Sequence, residues 1–90
     1  MKTRTVIVAN DRFEGEHGSL EHDEIERLVG AAAEIYYRDN EDVDLFRVLV
    51  RRPEYMNVQL PADYDETESE EIVGVAWEIL VFSGVPERSA

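Results

Sequence analysis

"DVDLFRVLVRRPEYMNVQLP", residues 42–61, decides how the fold is read. Phe46, Val48 and Val50 alternate with Arg47, Leu49 and Arg51, the period of two that lets a strand put one apolar face on a core. Pro53 has no backbone N–H and marks a turn. Beyond it Met56, Val58 and Leu60 alternate with Tyr55, Asn57 and Gln59, and Pro61 ends the run. Two alternating runs joined by a proline turn predict an antiparallel hairpin.

Upstream, "TRTVIVAN" from Thr3 to Asn10 is short and β-branched and predicts the first strand, closed by Asn10-Asp11. A polar loop with Gly15 and Gly18 follows. Ile25, Leu28, Val29, Ala32, Ile35 and Tyr36 then recur at helical spacing and predict a helix from about Leu20 to Arg38, with Ser19 or Asp23 as its N-cap. Downstream, a second helix is expected from about Glu68 to Ser83. Thr67-x-x-Glu70 fits a capping box at its start, and Gly84 with Pro86 a stop signal. A strand over "EILVF" competes for its second half. Helix is preferred because "VGAAAEIYY" from Val29 is echoed by "VGVAWEILV" from Val73, 44 residues on.

The expected fold is therefore α+β in two layers. An antiparallel sheet of three to four strands carries two helices on one face, in the order β-α-β-β-α, with a ββα duplication behind the echo. Ninety residues suit one compact domain, residues 1–90. "MKTRTVIVAN" has too short an apolar run for a signal peptide, and nothing reaches transmembrane length. With no cysteine, disulfides, thiolate metal sites and a cysteine nucleophile are excluded, which is compatible with a cytoplasmic setting.

Catalytic signatures are absent: there is no phosphate loop, Rossmann fingerprint, HExxH or GxSxG. His17 and His22 stand among Glu14, Glu16, Glu21, Asp23 and Glu24, a ligand set chemically suited to zinc but without a metal-site spacing. An EF-hand register with its glycine at Gly15 puts Arg12 at a ligand position, which defeats it. Arg4, Arg47, Arg51 and Arg52 with Tyr55 could form a small basic patch on an open sheet face. The overall charge disfavours nucleic acid as its ligand. No cofactor and no metal are expected.

The functional lead is acid. The formal net charge is −12, from 21 acids against 9 bases. Such a chain repels nucleic acid and anionic membranes and speeds encounter with basic partners. Sixteen of the 21 acids fall in three stretches, 14–26, 39–44 and 63–71. Negative charge at a helix N-terminus is favourable by roughly 0.3–1 kcal/mol, which accounts for one or two acids per helix and not for six. Asp63, Asp65, Glu66, Glu68, Glu70 and Glu71, with Glu21, Asp23 and Glu24 on the other helix, are the expected partner-binding set. The second helix has only Glu78 charged between Ile72 and Phe82. Val73, Trp77 and Val81 lie off its main apolar stripe and are the expected interface of a homodimer.

In size, acidity and lack of catalytic motif the chain is similar in type to phage inhibitors of host defence, the anti-CRISPR proteins and DNA mimics. That likeness implies a small acidic inhibitor occupying a basic, nucleic-acid-binding surface of another protein, with no direct contact to nucleic acid or membrane. Two other readings stand beside it. One is a structural or housekeeping domain of a salt-adapted organism, with eight arginines and one lysine among its bases. The other is a small metal-dependent enzyme using His17 and His22.

Overall fold

A computed structural model describes residues 1–14, 20–39 and 43–82. The described elements are β1 (Thr3–Ala9), α1 (His22–Arg38), β2 (Leu45–Arg51), a 3-10 turn over Pro53–Tyr55, and α2 (Glu66–Phe82). β1 and β2 form a two-stranded parallel sheet, in register from Thr3↔Leu45 to Ala9↔Arg51. The expected antiparallel sheet of three to four strands is not formed. The physical reason is the position of α1: a helix between two strands carries the chain back to the starting end, so β2 enters in the same direction as β1.

The third strand fails for local reasons. Pro53 opens a 3-10 turn, and Gln59 has φ 49°, in the left-handed region that no strand residue occupies. Arg51 organises this segment. Its guanidinium donates to the carbonyls of Val58 at 2.6 Å and Tyr55 at 3.3 Å. Val58 and Leu60, expected on a core face, are 48% and 45% exposed.

β1 is the centre of the structure. On the side away from β2, the Thr5 N–H donates to the Asp63 carbonyl at 3.1 Å, and Thr5 forms a parallel bridge with Tyr64. Val6, Ile7 and Val8 are all at most 2% exposed. Burial on both faces explains why this strand is a continuous apolar run rather than an alternating one.

Both helices exist, with different caps from those expected. Glu21 is the N-cap of α1 and forms a reciprocal capping box with Glu24, while Asp23 sits exposed in the first turn. Ser19 lies outside the described residues. α2 begins at Glu66, and the Asp65 carboxylate accepts the Glu68 N–H at 2.9 Å. Asp65 thereby takes the role assigned to Thr67, and Glu70 turns away from the helix start towards Arg12. α2 continues through Phe82, so "EILVF" is helix.

Ile25, Val29, Ala32 and Ala33 of α1 meet Ile72, Val73 and Ala76 of α2 over Val6 and Val8. The helices run antiparallel, since Tyr36 and Tyr37 at the end of α1 contact Glu71 and Glu68 at the start of α2. Both helices have 17 residues, from His22 and from Glu66, and the strands are offset by 42 residues. The expected ββα duplication is not formed: among the described residues each helix has one strand before it, and parallel strands with antiparallel helices do not superpose one half on the other. Among the described residues no helix is long and apolar enough to cross a membrane.

Candidate acidic interaction surface

The 63–71 stretch sits at one end of the molecule, where the first turns of α2 meet the last turn of α1 and the start of β1. Its acids divide by the kind of partner that holds them. Glu70 takes Arg12 in a two-pronged pair, at 2.6 and 2.9 Å. This contact holds the Glu70 carboxyl below its ordinary value and raises the Arg12 guanidinium, two views of one interaction that agree in sign. Glu68 accepts the Tyr37 hydroxyl at 2.6 Å and lies 3.3 Å from Arg4 Nε. The Arg4 contact is an ion pair without an aligned hydrogen bond, and its Nε is cut off from solvent. These two carboxylates have cationic partners within the chain.

The others are held by uncharged donors. Asp63 accepts the hydroxyls of Thr5 at 2.7 Å and Thr3 at 2.8 Å, two residues on one face of β1. Those hydroxyls hold its carboxyl below the usual range, and Arg47 nearby adds to the effect. Glu71 accepts the Tyr36 hydroxyl at 2.8 Å, and Asp65 accepts the backbone N–H of Glu68. Glu66 is exposed. A neutral donor fixes where a carboxylate points and leaves its full charge. Asp65 and Glu71 are therefore oriented and uncompensated, with Glu66 beside them, while Asp63 is oriented and partly offset by Arg47.

Tyr36 and Tyr37 feel the same field. The Glu71 contact pushes the Tyr36 phenol up to about 12, and burial followed by the Glu68 contact pushes Tyr37 higher still. Both tyrosines stay protonated and act as donors, clamping the end of α1 to the start of α2.

The second acidic group does not join the first. Antiparallel packing puts Glu21, Asp23 and Glu24 at the opposite end of the helix layer from residues 63–71. A 17-residue helix separates its ends by about 25 Å. Glu21 and Glu24 are also used in capping. The single composite surface expected from both helix starts is thus two surfaces.

The apolar candidates also separate. Val73 is 1% exposed and belongs to the core, so it is no interface residue. Trp77 is 37% exposed and packs its ring 5.2 Å from Phe13. Val81 is 69% exposed. The basic patch divides too: Arg4 is engaged by Glu68, Arg47 Nε donates to the Thr5 hydroxyl at 3.0 Å, Arg51 holds loop carbonyls, and Arg52 and Tyr55 are exposed.

A cleft of about 380 Å3 opens beside Asp63, lined by Thr3, Arg4, Leu45, Phe46 and Arg47. Its one carboxylate, held below the usual range by the threonine hydroxyls, shares the cleft with the guanidinium groups of Arg4 and Arg47. His17 lies outside the described residues. His22 is exposed, 3.6 Å from Glu26, and no group of three metal-ligating side chains occurs among the described residues.

Sequence reading missed the partners Arg4, Arg12, Thr3, Thr5, Tyr36 and Tyr37. Only the i, i+2 spacing of the two threonines hints at a shared face. Comparison with protein-family models, with characterised proteins and with solved structures finds no match.

Proposed function

We infer that this is a small acidic binding protein, acting in the cytoplasm, that docks on a basic surface of another protein, of the kind that otherwise binds nucleic acid. The observation that supports it best is the set of carboxylates at the start of α2 that are held by hydroxyls or backbone N–H groups. Ordering a free side chain at an interface costs about 0.5–1.5 kcal/mol. Asp63, Asp65 and Glu71 are already ordered, and among the described residues none of them is taken up in a salt bridge, Asp63 alone having a cation, Arg47, near it. α2 contributes five glutamates and no basic residue, so approach to an anionic ligand at this end is unfavourable and approach to arginine and lysine is steered. The reading is one of occupancy, DNA-mimic or anti-defence in kind, without a catalytic step.

The test is capture of partners from cells of the source, followed by competition with duplex DNA. A partner displaced by DNA supports the reading, and a partner indifferent to both DNA and salt contradicts it.

A second reading is favoured by the Arg4–Glu68 and Arg12–Glu70 pairs. In it the acids serve the chain itself, as in a structural domain of a salt-adapted organism. Stability in dilute buffer separates the two.

A further inference from the structure

Among the described residues β2 has one neighbour and an open edge. Its parity is fixed by the bonds around β1. The Thr5 N–H turns away from β2 to Asp63, the Leu45 N–H points to the Lys2 carbonyl, and the Arg51 carbonyl accepts from Asn10 at 2.7 Å. With the register Thr5↔Arg47, the odd-numbered residues of β2 give their backbone groups to β1. Phe46, Val48 and Val50 therefore present their N–H and C=O groups outward, and no hydrogen bond among the described residues reaches them. All three side chains are only partly buried, against complete burial of Val6 and Val8 beside them. The strand carries no proline, lysine or bulge to blunt its edge, and its two charges, Arg47 and Arg51, are drawn to Thr5 and to the Val58 carbonyl within the chain.

We propose that this edge is covered by a second copy of the chain, β2 pairing antiparallel with β2 of the partner about a two-fold axis at Val48. The register follows from charge. Centred on Val48, Arg47 faces the other copy's Leu49, and Arg51 faces Leu45. Centred on Arg47 or on Leu49, arginines stand directly opposite one another, which is destabilising. Only the Val48 centre also pairs all three outward-facing residues, Val48 with itself and Phe46 with Val50.

The helix layer fits the same axis. At 100° per residue, Asp23, Arg27, Gly30, Glu34 and Arg38 share one side of α1. That side adjoins Tyr37, whose ring packs 5.4 Å from Phe46 of β2, and lies away from Tyr36, which reaches α2. Gly30 is the midpoint of α1 as Val48 is of β2. A glycine weakens a helix interior relative to alanine. Nothing lies within 4 Å of where its Cβ would be, so packing within the chain does not call for it. Close approach of a second helix would call for it, and of the two equally open helix glycines, Gly30 and Gly74, it is Gly30 that lies on the helix packed against β2. Two α1 helices crossing there antiparallel bring Arg27 to Glu34 and Asp23 to Arg38 of the partner, and none of these four has an ion-pair partner among the described residues.

Light scattering and analytical sedimentation of the full chain test this. The expected mass is twice 10.4 kDa. Val48→Pro removes an outward N–H that β1 does not use, and is expected to give a folded monomer. Should that proline unfold the chain, Leu49 reads the register instead. Leu49→Arg, set opposite Arg47, is expected to raise the dimer dissociation constant by an order of magnitude or more, and Leu49→Glu to leave it equal or lower. Because the chain lacks cysteine, Val48→Cys is expected to give a covalent dimer on mild oxidation and Trp77→Cys is not, since strand pairing puts the two Val48 Cα atoms about 5.5 Å apart. A wild-type monomer at millimolar concentration, or a dimer indifferent to Leu49→Arg, overturns the proposal.

Discussion

The hydroxyl of Tyr37 donates to the carboxylate of Glu68 at 2.6 Å, joining the last turn of α1 to the first turn of α2. Tyr37 is 6% exposed. Its removal leaves a carboxylate short of a donor at the edge of the core. A hydrogen bond to a charged group contributes about 1.5–3 kcal/mol, so Tyr37→Phe should lower stability to denaturant by about that amount. Tyr36→Phe, at the more exposed contact with Glu71, should cost less than about 1 kcal/mol. Urea unfolding of the two variants checks the order.

The same contacts set the response to alkali and acid. The phenols of Tyr36 and Tyr37 ionise later in the folded chain than in the unfolded one, where the value is 10.0. Their contribution to stability is complete below that pH and is lost as pH rises through the folded value, about 12 for Tyr36. Asp63 and Glu70 behave oppositely. Their folded values lie below 3.8 and 4.5, so their contribution is present above those values and lost as pH falls through the folded ones. Thermal melts should show one fall in stability above about pH 10 and another below about pH 4. Phenolate absorbance should show Tyr36 and Tyr37 titrating late, and titration at the ordinary value would contradict the clamp.

The helix start gives a sharper local test. Asp65 caps α2 and Thr67 does not. Asp65→Ala should cost about 1 kcal/mol, within the usual range of 0.5–2 for a lost N-cap, and Thr67→Ala much less. Reversal of that order by chemical denaturation would restore the capping box over Thr67 and Glu70.

Both helices, β1 and β2 were legible in the sequence, because periods of 3.6 and 2 are local properties. The alternation over Tyr55–Leu60 is equally local, and there it misled. Arg51 satisfies the carbonyls of that segment without a neighbouring strand, and Gln59 breaks the extended backbone. The signal for parallel pairing was present in "TVIVA", whose unbroken apolar run suits a strand covered on both faces, and in the helix standing between the two strands.

The acidic surface was legible as composition and not as geometry. Arg12 with Glu70, and Thr3 with Asp63, are separated by 58 and 60 residues, and no local pattern joins them. The excess of acids over helix capping requirements was visible in the sequence. Which of them are neutralised was decided by the tertiary fold.

Salt separates function from adaptation. The Debye length is roughly 10 Å at 0.1 M and 3 Å at 1 M, so dilute buffer lengthens the repulsion among the acids. The two arginine pairs and the apolar core should keep the chain folded there, with a modest gain in stability as salt rises. Circular dichroism across that range checks this, and loss of helix below about 0.1 M would favour the salt-adapted domain.

The central claim is that the acids at the start of α2 divide into those the fold neutralises and those left for a partner. Glu70→Lys sets a lysine against Arg12 and should lower stability. Glu66→Lys with Glu71→Lys meets no cation of the chain and should leave the circular dichroism spectrum unchanged. The decisive measurement is the affinity of the captured partner for that folded double variant against wild type. Loss of binding by an order of magnitude or more, through slower association, is the predicted result, since charges at an interface rim act mainly on encounter. Unchanged affinity would reduce these acids to solvation and contradict the account.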